Sequence, residues 1–445
     1  MTVTTGESPA TPPAPQPPIE VSASDRRRAL WGSAVGSTIE WYDYFLYGTM
    51  ATAIFNVHFF PSEDPLVSSM LTFASFALAF VVRPIGGVIF SHIGDRIGRK
   101  KTLVITLTLM GVATMLMGVL PNYAAIGVAA PILLTLLRLV QGLALGGEWG
   151  GWLLLAVEYA PKNRRGFYGA VPQIGALAGL ALGNIVTIAA RAVFPEEAFE
   201  SFGWRIPFLL SGVLLVVGLW IRSRIDETPS FRKVRAAGTT QKLPIATVLR
   251  KYWREVLLST GAKFVETSTF FIFATFSISF ATSFGYDFGT ILGFLLVGSI
   301  LGVGGMLFYG GLSDRIGRKK VFIGGSIAVA IFIFPYLAML SSGDIVLAGT
   351  AMIVSFAVIW PTYGSLIGTV LAENFAPEIR YTGASLGYQL GAAIVGGPAP
   401  LIATALLAAF MGSWVPVAFF VVFCAIVGAI SVALVKTRHN EELDV

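Results

Sequence analysis

Gly94-Asp95-Arg96-Ile97-Gly98-Arg99-Lys100-Lys101 decides the fold, because after Leu312 it returns as Ser313-Asp314-Arg315-Ile316-Gly317-Arg318-Lys319-Lys320. The two aspartates stand 219 residues apart in a chain of 445, and each copy separates two long apolar runs. A charged, glycine-punctuated hairpin repeated at half the chain length implies a duplicated membrane bundle. Such a bundle points to transport rather than catalysis.

Composition agrees. Hydrophobic residues make up 55% of the chain and charged residues 13%, about half the charge of an ordinary globular protein, roughly 25%. With a mean hydropathy of +0.75, most of the surface must face something other than water. The net charge of +6 does not imply nucleic acid, because the basic residues are spread loop by loop instead of clustering on one soluble domain. The single cysteine, Cys424, can form neither an internal disulfide nor a cysteine-rich metal site. His58, His92 and His439 are scattered, so no metal is expected. The glycine-rich segments lie in apolar runs without the Lys-Ser/Thr of a nucleotide loop, so ATP is not implied. No enzymatic motif is present.

Residues 1–28 are rich in Pro, Ala, Ser and Thr and end in Arg26-Arg27-Arg28, which reads as a disordered tail. Twelve apolar stretches follow at about 29–55, 66–93, 102–120, 126–157, 167–190, 206–222, 256–283, 289–312, 321–340, 346–371, 382–406 and 413–435. Each is long enough for a helix across a hydrocarbon core of about 30 Å. The expected domains are a six-helix bundle over 29–222, a polar linker over 223–255, a second six-helix bundle over 256–435 and a tail over 436–445. Of the 31 Lys and Arg residues, 26 fall in the two tails and the even-numbered loops. Only Arg191 and Arg205 fall on the other side, and Arg83, Arg138 and Lys263 lie within helices. That asymmetry places both termini in the cytoplasm.

The halves share a second pattern. Glu158-Tyr159-Ala160-Pro161 leads to Arg164-Arg165-Gly166, and Glu373-Asn374-Phe375-Ala376-Pro377 leads to Arg380-Tyr381-Thr382-Gly383. Gly175, Gly179 and Gly183 in the fifth stretch match Gly383, Gly387 and Gly391 in the eleventh. Small residues at every fourth position let helices pack closely.

These residues resemble the major facilitator superfamily across all twelve stretches, and within it the metabolite:proton symporter family. The resemblance rests on the two octets and on Glu40-Trp41-Tyr42-Asp43-Tyr44, Arg83-Pro84-Ile85-Gly86-Gly87, Arg138-Leu139-Val140-Gln141-Gly142 and Gly146-Gly147-Glu148-Trp149-Gly150. Ser91 departs from the glycine preferred four residues before Asp95, whereas Gly310 keeps it in the second copy. The fold implied is all-α, with twelve transmembrane helices in two pseudosymmetric six-helix bundles. The function implied is proton-driven symport of a small organic acid or zwitterion by alternating access, in the inner membrane of a bacterium. The partners expected are the solute, protons and the lipid bilayer. A monomer is expected, with the proton gradient as energy source and no cofactor.

Ionisable residues inside the membrane each cost about 2.5–3.5 kcal/mol on insertion scales, so they mark function. Seven stand out: Glu40, Asp43, Arg83, Arg138, Glu148, Lys263 and Glu266. Four acids against three bases leave about one acid over, which suits a proton carrier. Glu40, Asp43, Glu148 and Glu266 are the candidates for that role. Glu40 and Asp43 share one helical face with Tyr44 and Tyr47. Tyr44, Tyr47, Arg83, Arg138, Gln141 and Lys263 are the candidates for holding solute, since a planar guanidinium grips a carboxylate with two hydrogen bonds. Static charge pairing is the competing role for Arg83 and for Lys263 with Glu266. Pro84 should loosen the helix beside Arg83. Asp95, Arg96, Arg99 and Glu158, with Asp314, Arg315, Arg318 and Glu373, form two candidate latches at the cytoplasmic end. The alternative role of those loops is topological. An osmolyte symporter for proline or betaine is the nearest rival function, followed by a proton-driven exporter and a non-transporting receptor.

Overall fold

The computed structural model describes residues 23–97, 99–147, 160–223, 244–375 and 379–436. Among them the chain forms helices joined by short turns, with no strand. Glu148, Glu158, Gly98, residues 1–22, most of the expected linker and residues 437–445 lie outside the described residues.

The first helix, α1 (Ala23–Met50), begins inside the stretch expected to be a disordered tail. Eleven further helices have the length and apolar character to cross a membrane. They are α2 (Pro65–Phe90), α3 (Lys101–Val119), α4 (Ala129–Gly146), α5 (Arg165–Val193), α6 (Arg205–Arg222), α7 (Trp253–Thr282), α8 (Phe288–Ile316), α9 (Arg318–Leu340), α10 (Ile345–Asn374), α11 (Thr382–Ala409) and α12 (Val415–Leu434). Glu40, Asp43 and several hydroxyl side chains make α1 less apolar. A short helix, Pro244–Lys251, precedes α7 within the expected linker.

Local sequence sets the ends. Asp64, Asp287 and Asp344 each accept a backbone N–H at the start of a helix, from Leu66 at 2.8 Å, Thr290 at 2.7 Å and Val346 at 2.8 Å. These caps satisfy donors that a helix leaves unpaired and place negative charge at the positive end of its dipole. The Thr290 N–H also holds the Asp287 carboxyl below its ordinary pKa. In the second octet, Gly317 adopts φ +98° between α8 and α9. That left-handed geometry explains why glycine stands there.

The packing has a twofold logic. In the first half α1 packs on α5, α2 on α4, and α3 and α1 on α6; in the second half α7 packs on α11, α8 on α10, and α9 and α7 on α12. The halves meet along two seams, α5 against α8 and α2 against α11. Exchanging the halves converts each seam into the other, which defines two pseudosymmetric six-helix bundles.

Glycines enforce the same logic. A Cβ on Gly179 would stand 2.7 Å from that of Trp41. One on Gly391 would stand 2.5 Å from that of Lys263. The matched glycines therefore bring α5 against α1 and α11 against α7. Gly86, Gly142 and Gly146 do likewise where α2 crosses α4: a Cβ on each would meet the carbonyl oxygen of Leu143, Ala79 and Arg83, respectively.

Both seams are in close contact. At the octet end, a Cβ on Gly166 would lie 2.6 Å from the Gly310 oxygen; midway, Leu177 fills the space over Gly302. At the other end Arg191 lies 3.7 Å from Asp287. On the α2–α11 seam, the Phe80 ring covers Gly397. Among the described residues the α5–α8 seam is therefore closed at both ends and midway, and the α2–α11 seam at Gly397.

Candidate functional site

Helix α2 is interrupted at Val82, immediately before Arg83-Pro84. A proline cannot donate its backbone hydrogen bond, and its ring crowds the preceding turn. The break sets Arg83 deep in the protein at 1% exposure. Its guanidinium carbon lies 4.3 Å from the centre of the Tyr44 ring and 4.0 Å from that of Phe80. Arg138, fully buried on α4, approaches the same Tyr44 ring at 3.8 Å and Tyr47 at 4.3 Å. Its Nη1 donates to Gln141 Oε1 at 2.7 Å, and Gln141 Nε2 donates to Thr114 on α3 at 2.6 Å. Tyr47 is fixed by a 2.5 Å hydrogen bond with Ser75. Five candidates for holding solute thus converge from α1, α2 and α4.

The sixth comes from the other half. On α7, Lys263 is ion-paired with Glu266, and its Nζ stands 3.6 Å from the centre of the Tyr388 ring on α11. The Glu266 carbonyl accepts a 2.9 Å hydrogen bond from Trp360 Nε1 on α10. Arg83 lies over Phe80, whose ring centre stands 5.1 Å from that of Phe271 on α7, so the aromatic surround of the cations crosses between the halves. Phe45 and Phe270 stack across the same divide at 4.7 Å. Aromatic faces partly compensate the desolvation of these cations, since each such contact is worth about 2 kcal/mol when removed from water.

Glu40 does not join this cluster. Arg222 at the end of α6 donates to Glu40 at 2.5 Å and also to the Leu103 carbonyl on α3. Reading Arg222 as one more loop cation hid this partner, and counting it gives Glu40 a base of its own. Removing one member of a buried pair costs about 3–5 kcal/mol. Glu40→Gln is accordingly expected to lower the thermal unfolding midpoint, and Glu40→Gln with Arg222→Met to restore part of it. An unchanged midpoint for the single variant would show that the pair is not structural. Asp43, at 1% exposure, lies on α1 beside Tyr44.

Of the latch candidates, the second set is assembled. Asp314 accepts backbone N–H groups of Gly166 at 2.8 Å and Phe167 at 3.0 Å, capping α5 from the opposite half. Arg318 lies 3.5 Å from Asp314 and 3.0 Å from Glu373. Arg315 borders a cleft with Asn163, Arg164 and Phe167. In the first set, Asp95 and Arg96 lie in the helix ending at Ile97, and Arg99 opens the next.

Tyr388, Trp360 and Thr114 were not singled out from the sequence. An aromatic residue in an apolar run looks the same whether it faces lipid or a cation, and a lone threonine gives no signal. Tyr388 carried one clue, standing between Gly387 and Gly391, where α11 packs closely on α7.

This architecture has known counterparts. The sequence profile of the Major Facilitator Superfamily matches residues 33–400. The chain belongs to that superfamily. It is 38% identical over 387 residues to the inner membrane metabolite transport protein YhjE of Escherichia coli, covering 85% of this chain and 88% of that one. The shikimate transporter of Escherichia coli is 36% identical over 424 residues, covering 94% and 97%. The proline/betaine transporter of Salmonella typhimurium is 32% identical over 437 residues, covering 94% and 85%. Among solved structures, the xylose transporter XylE from E. coli, in a partially occluded inward-open conformation, superposes with a TM-score of 0.73. At 16% identity, covering 95% of this chain and all of that one, it shares the fold. As a superfamily member, the chain is a multi-pass membrane transporter of metabolites, related to bacterial inner membrane transporters.

Proposed function

We propose that the chain is a proton-coupled symporter that takes up a small organic acid by alternating access. The observation that carries this reading is that Arg83, Arg138 and Lys263 are all buried, two on the first half and one on the second, within aromatic rings that meet across the divide. Two buried guanidiniums without an acid partner among the described residues, beside the Lys263–Glu266 pair, favour an anionic solute, because burying unpaired charge is costly and a carboxylate offsets it. In this account the three cations and the two tyrosines hold solute, while Asp43, Glu148 or Glu266 takes the proton. The Lys263–Glu266 pair is the natural point of exchange: an arriving carboxylate competes for Lys263, and a displaced glutamate binds a proton more readily.

The remaining features follow the basic-loop asymmetry and the superfamily. The octet face is cytoplasmic, with both termini on it, and residues 29–222 and 256–435 rock against one another about the 223–255 linker. The protein works as a monomer on the proton gradient, without ATP or cofactor. The second reading is uptake of a zwitterionic osmolyte, supported by the likeness to the proline/betaine transporter. Uptake of radiolabelled acids and betaines into cells, with and without a protonophore, separates the two. Protonophore-sensitive accumulation of an acid supports the first reading, and accumulation of a betaine alone supports the second.

A further inference from the structure

Resting on that reading, we infer that the solute carries two carboxylates, one for each buried guanidinium. The argument lies in which donors are occupied. Among the described residues, Arg83 Nε and Nη2 have no hydrogen-bond partner, and neither do Arg138 Nε and Nη2. On each guanidinium these two nitrogens form the side-on edge whose parallel N–H groups match the two oxygens of a carboxylate. Arg138 spends its Nη1 on Gln141, which fixes the rotation of the group and leaves that edge available. The flat faces are covered by rings: Trp41, Tyr44 and Phe80 around Arg83, and Tyr44, Tyr47 and Phe76 around Arg138. Aromatic contact stabilises the charge through the face but supplies no in-plane acceptor. A buried donor without an acceptor is costly. The same arrangement occurs twice, on two arginines that approach one tyrosine ring at 4.3 and 3.8 Å. Their separation is therefore within reach of a single small molecule. A monocarboxylate satisfies one edge; a short dicarboxylate satisfies both.

The test uses the full-length protein in lipid nanodiscs and isothermal titration calorimetry. Succinate and glutarate are compared with their half-amides, which keep the size and lose one charge. The expected result is at least about thirtyfold tighter binding of one diacid than of its half-amide, consistent with the strength of a bidentate, charge-assisted contact. Arg83→Lys keeps the charge but loses the fork, and it should shrink that preference to about threefold or less. Arg138→Gln should do the same. The wild-type comparison stands even if a variant fails to fold. Equal affinity for diacid and half-amide would overturn the two-carboxylate inference while leaving organic-acid transport intact. So would tighter binding of shikimate, or of a phosphate monoester bridging both arginines. If no acid of any kind binds, the proposed function fails with it.

Discussion

Asp314→Asn is expected to slow uptake more than tenfold and to open the octet face of the protein. In the closed form the Asp314 carboxylate caps α5 across the seam, accepting from Gly166 and Phe167. Hydrogen bonds to a charged group are worth about 1.5–3 kcal/mol each. Asparagine keeps one acceptor, turns an amino group toward the second N–H and gives up the negative charge at the positive end of the helix dipole. Losing about 1.4–2.8 kcal/mol of closed-state stabilisation shifts the population roughly 10- to 100-fold toward the open form. Ser313→Cys, fully buried beside the latch, provides the readout in a Cys424→Ala background. Its reaction with a membrane-impermeant maleimide should accelerate about tenfold or more when Asp314 is replaced. Unchanged labelling and uptake would mean that the octets serve topology alone.

The second large effect is expected at Gly146, where nothing is ionisable. A Cβ there would meet the carbonyl of Arg83, with the Gly87 nitrogen 2.9 Å away. Both obstacles are backbone, so neither can rotate aside. Overpacking of this kind costs about 1–3 kcal/mol even for one methyl group, and here the displaced atom belongs to Arg83, which we propose holds solute. Gly146→Ala should therefore lower the thermal midpoint and weaken solute binding about tenfold or more. Gly324→Ala, where an added Cβ meets nothing within 4 Å, is the matched control and should behave as wild type. If the two variants are indistinguishable, the close crossing of α2 and α4 does not position Arg83.

The contrast between these two residues shows what the sequence could reveal. The bundle was legible because its signals are periodic or repeated: apolar runs of membrane length, the octet at half the chain, and glycines matched between the fifth and eleventh helices. Each reports on a backbone constraint that does not depend on distant partners. The candidate site was legible by residue type, since a charge in an apolar run is conspicuous. Its pairings were not, because they join residues far apart in sequence. Glu40 meets Arg222 across 182 residues, and Arg222 looked like any basic residue at a helix end. Lys263 with Glu266 was readable as a pair because helical geometry alone brings positions three apart together. Its aromatic partner Tyr388 comes from a different helix and could be found only in three dimensions. The start of α1 was obscured by the Pro-rich composition upstream, although Ala23–Arg28 extends the helix without a break.

The central claim is that a proton travels with an anionic solute through the cluster between the halves. The most direct test is proton flux in proteoliposomes loaded with a pH-sensitive dye. Single solutes are added from a panel of hydroxy-acids, dicarboxylates, aromatic acids and betaines. The account predicts internal acidification with an acid, abolished by Arg83→Gln and by neutralisation of whichever of Asp43, Glu148 or Glu266 carries the proton. Solute entry or exchange with no pH change for any member of the panel would contradict it, leaving the buried acids as structural partners of the cations.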